Sequence, residues 1–285
     1  MKDAFKQFSP FFLIVFGQAF IFLLLLYVRF DGFAGIHFRG ENVNLIRIIS
    51  LIAGFCILLA IFLKLGLKYR KNPNATRLNI LLAIASFMIA CCGYLVASLW
   101  TNPDPAVGRF PYDVAVVFLI LAAYMFLVFG ITFLVVPSNE RAVHGFKRTM
   151  DVLLIAMYLL FLVQKISRSL EFTETAFITF LMIAGEYFIM VFGVACILLM
   201  LVTAIKALVL AKRTKDATFK NGLNALGASY IFLFSSMLAF VMNMVVFEDD
   251  NVVDLVAIML LVIGFYFVYA GFVKPTAPSN DAGSK

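Results

Sequence analysis

Charged residues and histidines are scarce in this sequence. Only 14% of its residues are charged, whereas 64% are apolar, and the mean hydropathy is +1.02. A soluble domain has roughly half of its residues apolar, so this composition excludes an ordinary water-soluble protein. The two histidines, His37 and His144, fall in connections that we assign to opposite sides of a membrane. They are too few and too far apart to hold a haem or a metal ion between them.

Motifs that carry common enzyme chemistry are also missing. The sequence contains no HExxH, no GxSxG and no glycine-rich phosphate loop. Its four cysteines, Cys56, Cys91, Cys92 and Cys196, all fall inside apolar stretches, where cysteine is typical of small packing residues. We therefore predict no enzymatic activity, no cofactor and no metal site.

What the sequence has instead is eight long apolar blocks. Each is about long enough to cross a hydrocarbon core of ~30 Å as a helix of ~20 residues. None alternates in polarity as a transmembrane strand would. The sequence therefore predicts an all-α integral membrane protein with eight transmembrane helices. The blocks cover approximately residues 9–29, 46–67, 78–100, 113–136, 151–170, 176–208, 222–246 and 253–273.

The positive charges predict the orientation of these spans. If successive connections lie on alternate sides, the side with both termini carries 17 of the 23 lysines and arginines, and the other side carries six. Cytoplasmic loops are enriched in lysine and arginine. We therefore expect both termini in the cytoplasm of a multi-pass protein of the cell membrane. This placement also explains the net charge of +7 without nucleic acid as a partner.

An internal repeat divides the chain into two halves. The basic turn and helix start at residues 64–77 recur about 142 positions later at 206–220, and Ser86 and Gly93 then align with Ser229 and Ser236. Self-similarity at a fixed spacing is typical of a duplicated unit. We predict a four-helix repeat at 1–137, a second, parallel repeat at 138–275, and a short polar tail at 276–285.

The third and seventh spans carry stripes of small residues. Such residues let two helix backbones approach closely in lipid, where apolar burial alone gives little association. The stripes therefore predict helix packing, and we expect the two spans to line the centre of the bundle. The residues are Ala83, Ser86, Ala90, Gly93 and Ala97 in the third span, and Gly222, Ala225, Ser229, Ser236 and Asn243, with Ala239, in the seventh.

Two aspartates occupy equivalent places in the repeat. Asp113 and Asp254 fall at the predicted starts of the fourth and eighth spans. An acidic residue in the first turn complements the helix dipole, so we interpret both as helix-terminal residues.

A few polar residues inside the apolar blocks are the candidates for a ligand site. The fifth and sixth spans depart from the repeat, with Gln164 and Lys165 in one and Glu186 in the other. Ionisable groups inside a membrane are costly and usually paired or functional. We predict a Lys165–Glu186 pair that forms, with Gln164 and Gln18, the polar end of an outer-leaflet site. A purely structural ion pair and a snorkelling lysine remain alternatives.

Three functions fit this pattern. We favour a sensor or receptor-like module that binds a small apolar or amphipathic ligand and signals through a protein partner on the basic turns at 64–77 and 206–220. A small-molecule or lipid permease is the first alternative, because duplicated units are common in transporters. A structural or assembly subunit of a membrane complex is the second. In all three the lipid bilayer is a partner.

Overall fold

The computed structural model describes residues 9–38, 45–71, 75–135, 140–170, 176–245 and 251–272, and nearly all of them are helical. Two short strands, β1 (His37–Phe38) and β2 (Trp100–Thr101), pair antiparallel. The helices within these ranges are α1 (Ser9–Val28), α2 (Phe30–Ala34), α3 (Leu45–Lys71), α4 (Ala75–Leu99), α5 (Pro105–Val135), α6 (Glu140–Ser169), α7 (Ala176–Arg213), α8 (Ala217–Val245) and α9 (Asn251–Phe272).

Among the described residues, seven helices are long and apolar enough to cross a membrane. They are α1 and α3 to α8, whereas α9 contains a shorter apolar stretch, Leu255–Gly271. Large apolar side chains such as Phe16, Leu63 and Val191 are exposed on the outside of the bundle, as expected of surfaces that face lipid. These features confirm the predicted all-α, multi-pass membrane architecture. The count of eight spans stays a prediction.

Helix α5 runs through the middle of the bundle. It packs against α1, α4, α6 and α7, and 72% of its most apolar 18-residue segment is buried. Every residue from Leu121 to Gly130 is buried, so this helix is covered on all sides. The remaining long helices are arranged around it, with α1 against α6, then α7, α8, α9, α3 and α4 in turn.

The small-residue stripes pack against the following helix in each half of the chain. A Cβ atom built on Gly93 would lie 2.7 Å from the backbone oxygen of Pro111 and 3.0 Å from Ala115, so α4 and α5 touch closely there. In the second half, the Ser236 hydroxyl donates to the backbone oxygen of Ala257 at 2.7 Å, which joins α8 to α9. In both halves, small residues permit the two helix backbones to approach closely.

The expectation that these two striped helices line the centre of the bundle is wrong for the described residues. Helix α5 occupies that place, and α4 and α8 each make their most extensive contacts with the next helix along the chain. They meet directly where the rings of Tyr94 and Phe240 stack, with centroids 6.2 Å apart. The predicted stripe residue Asn243 has a side chain outside the described set.

Two buried tyrosines also join helices across the bundle. The Tyr158 hydroxyl on α6 donates to the Ile14 carbonyl oxygen of α1 at 3.0 Å, and the ring lies directly against Gly17. The Tyr230 hydroxyl on α8 donates in the same way to a carbonyl oxygen of α5, against Gly130. In both places, a glycine on the accepting helix makes room for the ring.

Candidate functional site

A cleft of about 560 Å³ lies between α1, α5 and α6, where α1 and α6 end and α5 begins. We call this side of the bundle the cleft end. Among the described residues, the walls combine apolar side chains with five charged groups. The lining residues are Ile21, Leu25 and Arg29 from α1 and its end, Asp104, Ala106, Arg109, Phe110 and Asp113 from the start of α5, and Lys165 and Ser169 from α6.

Helix α5 starts eight residues earlier than the sequence predicted, and its first turns form part of the cleft wall. Asp104 caps this helix, since its Oδ1 accepts the backbone N–H of Ala106 at 2.8 Å and of Val107 at 3.4 Å. Pro105 is the first helical residue, a position where the missing N–H costs nothing. Pro111 removes one hydrogen bond inside the helix without ending it.

The connection before α5 is fixed to the connection after α1. The side chain of Asn102 donates to the backbone oxygen of Gly32 at 2.7 Å and accepts the backbone N–H of Asp104 at 2.8 Å. The β1–β2 pair, with His37 opposite Thr101, joins the same two segments. The rim of the cleft is therefore held by hydrogen bonds between segments about 65 to 70 residues apart in sequence.

Lys165 pairs with Asp113 inside the cleft. The Nζ of Lys165 donates to the carboxylate of Asp113, and the two side chains are only 13% and 14% exposed. The Lys165 ammonium also lies 5.2 Å from the centre of the Phe161 ring, a favourable cation–π arrangement. Opposite charges so little exposed interact more strongly than a surface pair.

This pair corrects the interpretation of Asp113. The residue lies more than two turns inside α5 and binds a lysine on α6, so it is not a helix-terminal acid, and Asp104 has that role. Asp254, by contrast, is the fourth residue of α9 and does lie in a first turn. Glu186 lies on α7, but its side chain is outside the described set. The Lys165–Glu186 pairing therefore stays a prediction, beside the observed pairing with Asp113.

Two arginines flank the pair. Arg29, just after α1, donates from its Nε to the backbone oxygen of Ser169 at 3.3 Å. Arg109 is exposed on the second turn of α5, and no other described residue forms an ion pair or hydrogen bond with it. Neither arginine was predicted from the sequence as a site residue, and Asp113 was not either. The clustering of Asp104, Arg109 and Asp113 within ten residues was the available signal.

The side chains of the two predicted glutamines are more buried than those of the charged pair. Gln164 is buried on α6, next to Lys165 in sequence. Gln18 is only 5% exposed, on the face of α1 that also presents Ile21 and Leu25 to the cleft, and neither its amide oxygen nor its nitrogen has a hydrogen-bond partner among the described residues. It lies beside Tyr158, whose hydroxyl donates to the Ile14 carbonyl oxygen instead. Orphaned buried amides usually bind a water molecule or a ligand.

A second polar cluster lies on the same two helices, toward the other end of the bundle. The buried Tyr124 of α5 donates its hydroxyl to the carboxylate of Asp151 on α6, and Lys147 lies one turn before Asp151. The sequence analysis placed Asp151 at the edge of a span. Helix α6 in fact begins at Glu140 and its apolar stretch at His144, so Asp151 lies two turns inside.

Comparison with known proteins gives no relative. No protein-family model, no curated protein and no solved structure matches this chain.

Proposed function

We propose that this chain is a sensor or receptor-like protein of the cell membrane that binds a small amphipathic ligand in the cleft and signals to a cytoplasmic partner. The observation that carries the proposal is the composition of the cleft. Ile21, Leu25 and Phe110 offer apolar surface, and the Lys165–Asp113 pair offers polar groups beside it. Ligand pockets typically combine a mainly apolar lining with a few placed polar groups.

The proposed orientation has eight spans with both termini in the cytoplasm and the cleft open toward the outer leaflet. The ends of α3 and α7, away from the cleft end, carry the basic residues expected of the cytoplasmic side. They are Lys68, Arg70 and Lys71 on α3, and Lys212 and Arg213 on α7. These residues belong to the turns at 64–77 and 206–220, which we propose as the docking surface of the partner.

We further propose that the chain consists of two parallel repeats, at 1–137 and 138–275. In support, the contact of Gly93 with Ala115 in one half matches the contact of Ser236 with Ala257 in the other. The paired positions differ by 143 and 142 residues, close to the spacing of the repeated basic turns.

A route from the cleft to the cytoplasmic surface follows the α5–α6 interface. Lys165 joins α6 to α5 at the cleft, and Asp151 joins the same helices near the opposite end. A ligand that changes the Lys165–Asp113 contact shifts how α6 packs against α5. Packed helices switch between discrete arrangements and do not deform continuously.

Spin labels on the two proposed docking turns test this function. We would label cysteines at Lys71 and Thr214, in a variant whose native cysteines are alanine, and measure the distance between the labels in nanodiscs. The probes are decanol, decylamine, decyl phosphate and decyl maltoside. At least one probe should shift the distance, and Lys165→Met should suppress the shift. Unchanged distances with all four probes would contradict a sensor.

A permease is the second candidate, and one observation favours it. Asp113 and Asp151 both lie inside the apolar stretches of their helices. Such residues are typical of ion-coupled transport. Movement of a decyl probe across proteoliposomes, lost in Asp151→Asn, would favour the permease over the sensor.

A further inference from the structure

We propose that the cleft selects amphiphiles with an anionic headgroup, a phosphate monoester or a carboxylate, which Arg29, Arg109 and Lys165 bind. This inference rests on the proposed function in one respect, since both place the ligand in the same cleft. It adds the charge of the ligand and the residues that recognise it.

The charge balance of the cleft supports an anion. Of the described residues that line it, three are cationic and two are carboxylates. Both carboxylates already have partners, because Asp104 caps α5 and Asp113 binds Lys165. Arg109 is exposed and has no ion-pair partner among the residues that the structure describes. The cleft therefore attracts negative charge, and an arginine binds carboxylate and phosphate oxygens well because its guanidinium donors match their geometry.

The apolar part of the cleft supports an amphiphile rather than a free ion. Ile21 and Leu25 form one wall along α1, and Phe110 and Ala106 lie on α5 opposite. An alkyl chain against these side chains gains roughly 0.8 kcal/mol for each buried methylene group. Inorganic phosphate has no such contribution, so the tail distinguishes the two kinds of ligand.

In the Lys165–Asp113 ion pair, Asp113 competes with the ligand anion for the lysine. Asp113 and the ligand anion both bind the ammonium of Lys165, so Asp113 acts as an internal competitor for one of the three cations. Removing the Asp113 charge should therefore tighten anion binding, whereas removing the Arg109 charge should weaken it. A site whose polar groups are only structural gives no such opposite pair of effects.

Binding of decyl phosphate to the full-length protein in nanodiscs tests the inference. Decylphosphocholine has the same tail and a headgroup without net charge, and inorganic phosphate has no tail. Decyl phosphate should bind on the order of tenfold more tightly than decylphosphocholine, because a charge-assisted hydrogen bond contributes about that factor. It should also bind more tightly than inorganic phosphate, because only the decyl chain contacts the apolar wall of the cleft. Arg109→Gln should lose about this factor, and Asp113→Asn should gain affinity.

Arg47 provides a matched control, because it lies near the start of α3 and does not line the cleft. Arg47→Gln removes one positive charge as Arg109→Gln does, and it should leave decyl phosphate affinity unchanged. Arg109 is exposed, so its substitution is compatible with folding, which a melting curve checks.

Three results would overturn the inference: equal affinity for the charged and zwitterionic decyl ligands, weaker binding in Asp113→Asn, or inorganic phosphate binding as tightly as decyl phosphate. The sensor proposal can fail separately. Anion-selective binding without a distance change between the labelled turns contradicts the sensor and keeps the inference. A distance change produced equally by charged and uncharged probes supports the sensor and contradicts the anion selectivity.

Discussion

At the scale of single residues, the cleft depends on which polar groups have partners. Lys165 binds Asp113, Asp104 caps a helix, and the buried amide of Gln18 has no partner within the described ranges. The sequence analysis identified Lys165, Gln164 and Gln18 as candidates because polar residues are rare in the apolar blocks. It could not identify Asp113 as the partner, because the two residues are 52 positions apart and the helix start was misplaced.

A double-mutant cycle tests the partner of Lys165. Lys165→Met leaves Asp113 little exposed and without its cation, which should lower the free energy of unfolding by about 2 kcal/mol. Lys165→Met combined with Asp113→Leu should recover most of that loss. The matched cycle with Glu186→Leu should show the smaller coupling in detergent melting curves. A larger coupling of Lys165 to Glu186 than to Asp113 would support the predicted Lys165–Glu186 pair instead.

The two buried glutamines should respond oppositely to replacement by leucine. Gln18 has no hydrogen-bond partner in the part of the chain that the structure describes, so Gln18→Leu removes an unsatisfied amide and should raise stability by about 1 kcal/mol. Gln164 does have a partner, and Gln164→Leu should cost about 1 kcal/mol. Thermal melting of both variants measures this. Loss of stability in Gln18→Leu would mean that its amide binds a water or ligand.

At the scale of helices, small residues decide which helices touch. The sequence predicted close packing of the third and seventh spans, and Gly93 and Ser236 do lie at helix contacts. It did not predict that the partner is the next helix in each half. A stripe of small residues shows that one face of a helix allows close approach. It does not show which of the other helices in the bundle packs against that face.

Gly93 and Gly66 form a matched pair for testing this packing. Gly93→Leu places a side chain against the backbone of α5 and should cost about 1–3 kcal/mol by overpacking. Gly66→Leu on α3 meets no atom within 4 Å of its Cβ, so it should be neutral or slightly stabilising. Melting temperatures in detergent distinguish them. Equal effects would show that the α4–α5 contact is not close.

At the scale of the whole molecule, the arrangement places a cleft and a basic surface at opposite ends of one bundle. The structure links α1 to α6 at the cleft end through Arg29 and Ser169, and it places Lys71 and Arg213 at the far ends of α3 and α7. The orientation in the membrane stays a prediction from the sequence, based on the 17 of 23 basic residues that fall on one predicted side.

Thiol labelling in intact cells tests this orientation. In a variant without native cysteines, single cysteines at Asn74 and Ala217 should resist a membrane-impermeant maleimide, because both positions are predicted to be cytoplasmic. A cysteine at Thr101, exposed at the cleft end, should react. Labelling of position 74 or 217 from outside, with position 101 protected, would reverse the orientation.

The sequence by itself determined the membrane class, the approximate helices and the charge asymmetry, because each depends on local composition and on the length of an apolar block. Only the tertiary structure decided that α5 is central, that α5 and α6 begin two or more turns early, and that Lys165 binds Asp113. The physical reason is that spans in a membrane are apolar on all sides. Hydrophobic periodicity therefore does not mark the buried face, and lateral packing alone determines which polar groups meet.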